Sequence, residues 1–295
     1  MAQIREIKKR IGGVKTVQRI TKTMQMIATA KFTSAVQRVN AAKPYSERIG
    51  RLVGEALAAA GGDFEHPLIS GPTESPSRER LLVITSNRGM CGAYNSSALR
   101  AASGHIQGLR DRGCELELET AGKKAVGFFK FQKTPVSVSH PVGDEPRYDE
   151  IDRMARSYID DFVAGRHDAV YVACMQFVST SKQIPRVVQL LPLQPAVAHS
   201  DGAEGADGAK ALYDFSPSVR DILDELMPLA VKTLLFQAFL ESSVSEQIMR
   251  MIAMKAATEN AGDLARNLTR RYNRARQAQI TTELMEIISG AAALD

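Results

Sequence analysis

Apolar residues recur at alternating steps of three and four at both ends of this 295-residue chain, and that spacing limits what it can fold into. Near the start, Ile4, Ile7, Ile11 and Val14 form such a row; near the end, Ile280, Leu284, Ile287, Ala291 and Leu294 form another. A repeat averaging 3.5 residues marks a helix that packs along a seam against a second helix. The first row restarts at Val17, Ile20, Met24 and Ile27, a three-residue slip that predicts local overwinding. Residues 1–62 therefore read as one long helix. Gly12-Gly13 weakens it by about 1 kcal/mol per glycine relative to alanine, and Pro44 is a candidate kink. The Gly- and Pro-containing run from Asp63 to Ser77 ends it. The helical pattern returns over 217–295, where Leu234, Leu235, Ala238, Ile248, Met251, Ile252, Leu264 and Leu268 precede the terminal row. Roughly 70 helical residues reach about 105 Å. Two seamed helices separated by a middle segment predict a long antiparallel two-helix coiled coil.

The middle segment, 78–198, has a different period. Leu81–Ser86, Glu115–Thr120, Val136–His140, Ala169–Phe177 and Val187–Leu193 read as strands. Tyr94–Arg110, Gly122–Lys130 and Ile151–Val163 are helix-length stretches between the first four. That alternation predicts an α/β domain with a small, mostly parallel, Rossmann-like sheet. The polar, Gly-rich stretch 199–216 reads as an exposed loop.

Charge narrows the choice of partner. The net charge is +5, yet Glu6 is the sole acid before Glu47, while Arg5, Lys8, Lys9, Arg10, Lys15, Arg19 and Lys22 crowd the first helix. Such a helix seeks an acidic partner: nucleic acid, anionic lipid or acidic protein loops. Cys91, Cys114 and Cys174 lack CxxC spacing and read as free thiols in a reducing compartment. No apolar run approaches the roughly 20 residues of a membrane span, and no apolar leader opens the chain. Membrane contact is therefore expected only through partners.

Little in the sequence resembles a reaction centre. In Leu81–Asn95 a strand meets a turn with two glycines and then a helix, a geometry that can cradle phosphate. The turn has neither GxxxxGK[ST] nor GxGxxG spacing, so it reads as a tight turn facing another protein. Cys91 has no histidine near it in sequence and reads as a small buried hydrophobe. The five histidines are scattered without ligand spacing, so no metal or cofactor is expected. The acids Asp144, Glu145, Asp149, Glu150, Asp152, Asp160 and Asp161 read as a solvated helix face. Arg266, Arg270, Arg271, Arg274 and Arg276 put guanidiniums on neighbouring turns of the last helix, where they are solvated or hold an acidic loop.

Three blocks carry a family resemblance. They are Arg19–Lys31 (RITKTMQMIATAK), Ile84–Ser96 (ITSNRGMCGAYNS), and the long run containing MIAMKAATENAGDL and YNRARQAQITTELMEIISGAAAL. In these blocks the chain resembles the gamma subunit of bacterial F-type ATP synthases. The family usually has Asp and Gly where this chain has Asn87 and Ala93, which removes a charge from the turn.

The resemblance implies a non-catalytic central shaft that couples rotation of a c ring, driven by protons, to ATP synthesis or hydrolysis on other chains. It implies contacts with three alpha and three beta subunits, an epsilon subunit and the c ring, at the cytoplasmic face of the bacterial inner membrane. It assigns contacts with beta-subunit loops to Arg274, Arg276, Gln277 and Thr281, with Lys22 and Met24 on the first helix opposite them. It further implies an apolar bearing tip at Leu284, Ile287, Ile288, Ala291 and Leu294, and a partner-facing turn at Asn87, Arg88, Gly89, Cys91 and Gly92. Chloroplast-type relatives carry an inserted cysteine pair; no cysteine follows Cys174 here, so no thiol switch of that kind is expected.

Two other readings follow from the residues alone. A basic coiled coil that binds nucleic acid would show steep salt dependence, but Phe32 and Tyr45 are the only aromatics in its basic stretch. A Rossmann-like enzyme would be stabilised by nucleotide.

Overall fold

The computed structural model describes residues 2–60, 66–69, 76–194 and 218–292, with side chains described between 4 and 289 of these. The predicted 199–216 loop, Pro217 and Leu294 lie outside the described residues. Two compact units emerge, one from Met1–Ala30 with Arg250–Asp295, the other from Lys31–Met249.

The first unit is a two-helix coil made from the start of α1 (Ala2–Ala60) and the end of α5 (Val219–Ala292). The hydroxyls of Thr21 and Thr258 lie 2.9 Å apart. A Cβ built on Gly262 would sit 2.9 Å from Gln18 Nε2. Residue numbers rise on one helix as they fall on the other, so the pair is antiparallel, as the two seams predict.

The seam itself differs from expectation. Ile4, Ile7, Ile11, Val14, Gln18, Thr21, Gln25 and Ala28 form one unbroken row of shielded positions at steps of three and four. There is no slip. Val17, Ile20 and Ile27 are instead 52%, 54% and 53% exposed. The register set by Ile4–Val14 continues whatever the chemistry of later positions. The facing row on α5 is Met254, Thr258, Ala261, Ala265, Leu268, Tyr272, Ala275 and Gln279. Its small members let the helices approach closely at Gln18 and Thr21, where bulky knobs would not fit. Ile252 and Leu264, part of the apolar pattern that precedes the terminal row, are each 49% exposed.

In the second unit, β1 (Arg78–Ile84) is the centre of a five-stranded sheet. Around it lie β2 (Glu115–Ala121), β3 (Val138–His140), β4 (Ala169–Phe177) and β5 (Gln183–Leu191), in the order β3-β2-β1-β4-β5. All neighbours pair parallel except β4 and β5. The first four strands follow the predicted alternation; β5 begins four residues before the predicted Val187 because it pairs back on β4 as far as Phe177.

Strand alternation sorts β1 between two layers. Leu81 and Val83 pack with α2 (Tyr94–Asp111) and α3 (Lys123–Phe131). Leu82 and Ile84 face α4 (Tyr148–Val163) and the first part of α5. Burial on both faces explains the near-continuous apolar run LLVI. Leu223, Met227, Val231, Leu235 and Phe239 of α5, with Ala56 of α1, complete the second layer. Both long helices run on through Pro44 and Pro228.

Candidate functional site

On the coil unit, the residues expected to grip partner loops stand in solvent. Arg274, Arg276, Gln277 and Thr281 are all exposed. Spacings of three and four put Arg274, Gln277 and Thr281 on one face of α5, with Arg276 turned more than a third of a turn from the middle of that face. The Thr281 hydroxyl donates to Gln277 O at 3.0 Å. Arg266 pairs with Asp263, but among the described residues no acid reaches Arg271, Arg274 or Arg276.

Lys22 and Met24 do not lie opposite this group. Thr21 faces Thr258, which places Lys22 and Met24 level with the Met254–Thr258 turn. Arg276 lies about 27 Å further along the helix at 1.5 Å per residue. Lys22 is exposed and Met24 half-buried. If both positions serve partners, they serve them at two separate levels.

The tip departs from the seam pattern too. The shielded row on α5 ends at Gln279, where its register exhausts α1. The apolar row that follows is rotated off the seam: Ile280, Leu284, Ile287 and Ile288 are 45%, 53%, 70% and 57% exposed. Ala291 lies in the helix, but its side chain is outside the described residues. Among the described residues, the terminal row is thus an apolar stripe with no partner helix.

In the α/β unit, the turn after β1 splits between inside and outside. Arg88, Met90 and Gly92 are exposed. Gly92 has φ 57° and Met90 φ 61°, so the chain reverses through two left-handed residues. Cys91 is turned inward at 2% exposure, where Asn95 Nδ2 donates to its sulfur at 3.1 Å. Asn87 is tied within the fold: its Nδ2 donates to Val142 O at 2.8 Å, and its Oδ1 accepts from Lys123 N at 3.2 Å. Cys91 and Asn87 therefore support the turn, and Arg88, Met90 and Gly92 form its outer surface. Backbone amides 123, 124 and 125 at the start of α3 are already taken by Asn87, Ser86 and Thr85, so this helix end does not offer them to a phosphate.

The sequence reading missed a buried charge cluster. The Arg80 guanidinium lies 2.7 Å from Asp161, 3.1 Å from Glu117 and 3.3 Å from Glu119. Glu119 also contacts His140 Nε2 at 2.6 Å and accepts from the Tyr158 hydroxyl at 2.6 Å. Burial alone would raise the Glu119 carboxyl. Hydrogen bonds from His140 and Tyr158, with the Arg80 charge, outweigh it and hold the group below the usual carboxylate range. Burial and the nearby Arg80 charge depress His167. Asp161 and Asp152, expected on a solvated face, instead pair with Arg80 and with Lys232, the latter at 2.9 Å. Helical periodicity placed α4 correctly, but only the folded sheet reveals which of its acids meet a cation. Alternation along β1 offered one signal, since Arg80 shares a face with Leu82 and Ile84.

A family model described as ATP synthase matches residues 3–294. The ATP synthase gamma chain of Rhodopirellula baltica is 42% identical over 297 residues, covering 100% of each chain. The chain belongs to the ATP synthase gamma-chain family. The gamma chain of Leptospira biflexa is 39% identical over 295 residues, again with full coverage of both. The fold agrees with solved structures. A chain of the Euglena gracilis mitochondrial ATP synthase OSCP/F1/c-ring structure gives a TM-score of 0.64 at 18% identity, covering 99% of this chain and 95% of that one. One from the Tetrahymena thermophila central stalk and c ring gives 0.58 at 21%, covering 81% and 99%. A gamma chain is a subunit of the ATP synthase complex, and among the described residues of this one no helix is long and apolar enough to cross a membrane.

Proposed function

We propose that this chain is the rotating central shaft of an F-type ATP synthase and is itself non-catalytic. Its coil unit sits within a ring of three alpha and three beta subunits. The α/β unit and the adjoining helices contact the epsilon subunit and the c ring, at the cytoplasmic face of the bacterial inner membrane. Proton flow turns the c ring and this shaft with it. An asymmetric shaft presents a different contact energy to each of three similar sites and so moves them through different states in turn. The sequence division at 1–62, 78–198, 199–216 and 217–295 then corresponds to shaft helix, contact domain, loop and shaft helix.

The observation that carries this reading, beyond family membership, is the coil's outer surface. A free-standing two-helix coil buries its apolar side chains; this one displays Val17, Ile20, Ile27 and Leu264, then the whole stripe from Ile280 to Ile288. An apolar sleeve around the tip would cover the stripe, with Leu284, Ile287, Ile288, Ala291 and Leu294 as its bearing surface. Below it, Arg274, Arg276, Gln277 and Thr281 form a catch for acidic beta loops through charge-assisted hydrogen bonds. Lys22 and Met24 meet loops at the second level. The outer face of the 87–92 turn, Arg88, Gly89 and Gly92, meets a partner while Asn87 and Cys91 hold it in shape.

An Arg276→Ala, Gln277→Ala variant, assembled with the other subunits, tests the catch. Coupled ATP synthesis is expected to fall while the complex still assembles. Unchanged synthesis would remove these residues from the mechanism.

A further inference from the structure

The α/β unit contains a cavity of about 380 Å³ that the shaft role does not use. It lies between the 39–46 stretch of α1 and the 233–240 stretch of α5, with the first residue of α4 at its edge. That volume falls in the range of small-molecule sites, roughly 300–1,000 Å³. Val39, Ala42 and the buried Leu240 give it an apolar floor. Phe236 and Tyr148 meet edge to face at 5.4 Å between ring centroids and form one aromatic wall; Tyr45 also lines the cavity.

The polar groups are few and mostly donors. At the inner end the Ser46 hydroxyl donates to Gln237 Oε1 at 2.5 Å, and Gln237 Nε2 donates to Glu241 at 2.8 Å, so these groups are occupied by one another. Burial raises the Glu241 carboxyl. Tyr45 and Tyr148 are 52% and 42% exposed, and neither hydroxyl has a hydrogen-bond partner among the described residues. The Lys43 ammonium, also on the lining, has the exposed Glu47 3.7 Å away, and its charge also reaches the buried Glu241. Burial and the Asp152 charge raise the Tyr148 phenol, and Asp152 is engaged by Lys232 and Arg156. Two free phenols and a loosely paired ammonium thus surround an aromatic slot.

We propose that this cavity is a binding site for a planar aromatic anion, such as a fused-ring carboxylate or sulfonate. The rings lie between Tyr148, Phe236 and Tyr45, gaining edge-to-face contact. The anionic group stays at the mouth, where Lys43 and the phenol hydroxyls donate to it. The inference does not depend on the shaft reading.

The test uses the full chain and 8-anilinonaphthalene-1-sulfonate, whose fluorescence rises in apolar sites. One saturable site per chain is expected. Lys43→Gln, a change to an exposed side chain, should weaken it about tenfold, the loss of one charge-assisted contact. Ala42→Trp, which fills the slot, should abolish it, and Phe131→Ala, at an exposed ring elsewhere, should leave it unchanged. Naphthalene-2-carboxylate should displace the probe at least tenfold better than naphthalen-2-ol. Fluorescence insensitive to both Lys43→Gln and Ala42→Trp would place the dye on the exposed coil stripe and overturn the proposal. Equal displacement by the neutral and anionic competitors would overturn the assignment to an anion.

Discussion

At the scale of single residues, the most consequential side chain in the α/β unit is one that touches no partner. Arg80 is 5% exposed and carries three carboxylates from β2 and α4, with its guanidinium carbon 5.1 Å from the Tyr158 ring centroid. Removing one member of a buried ion cluster leaves the others desolvated and uncompensated, a loss of about 3–5 kcal/mol. Arg80→Met is expected to lower unfolding free energy by that amount in urea titrations, and Glu119→Gln in the same chain should restore part of it.

The cluster also sets a pH dependence. His167 is depressed in the folded chain, so the unfolded chain takes up its proton first. Stability is therefore lost as pH falls below about 6.5, the ordinary histidine value. Glu119 and Asp161, both held low, add a further loss as pH falls through their folded values. The urea midpoint should drop from pH 7.5 to 5.5, and His167→Gln should flatten that part of the curve. The cysteines allow an independent check. Cys91 and Cys174 are buried, and burial pushes the Cys174 thiol up to about 12. Ellman's reagent should modify only the half-buried Cys114 in the folded chain; modification of all three would contradict the packing described.

At the scale of elements, the coil shows how far periodicity carries. Ile4–Val14 announced a seam, and its antiparallel partner was legible in the late helical pattern. The continuation through Gln18, Thr21 and Gln25 was not, because polar residues hold those positions and apolar Val17 and Ile20 sit beside them. Apolarity marks a seam only where the partner helix offers a hole; Ala261, Gly262 and Ala265 offer little. The same logic governs the tip, where side chains that read as seam have no facing helix among the described residues. Leu284→Ser with Ile287→Ser should therefore change the isolated chain's stability by no more than about 0.5 kcal/mol, as for exposed positions generally. In the assembled complex the same change should impair coupled turnover. A large loss of stability in the isolated chain would mean that the stripe is covered within the chain itself.

At the scale of the whole molecule, the mostly parallel α/β class followed from alternation in the sequence and the burial of Cys91 from its lack of a nearby histidine, while the strand order and the buried charge cluster came from pairings across distant segments. The site was legible in part. Arg274–Thr281 stood out as a polar belt, but its distance from Lys22 and Met24 depended on the coil register, which Thr21 and Thr258 fix and no apolar pattern reveals. What remains is a chain with conspicuous uncovered apolar surface on its coil unit and a buried ion cluster in its α/β unit. The most direct test assembles this chain with alpha and beta subunits on a surface, attaches a bead to a tag in the 199–216 stretch, and supplies ATP. The account predicts sustained rotation in one direction that stops when ATP is exhausted. ATP hydrolysis by a complex containing this chain, with the bead stationary, would contradict it.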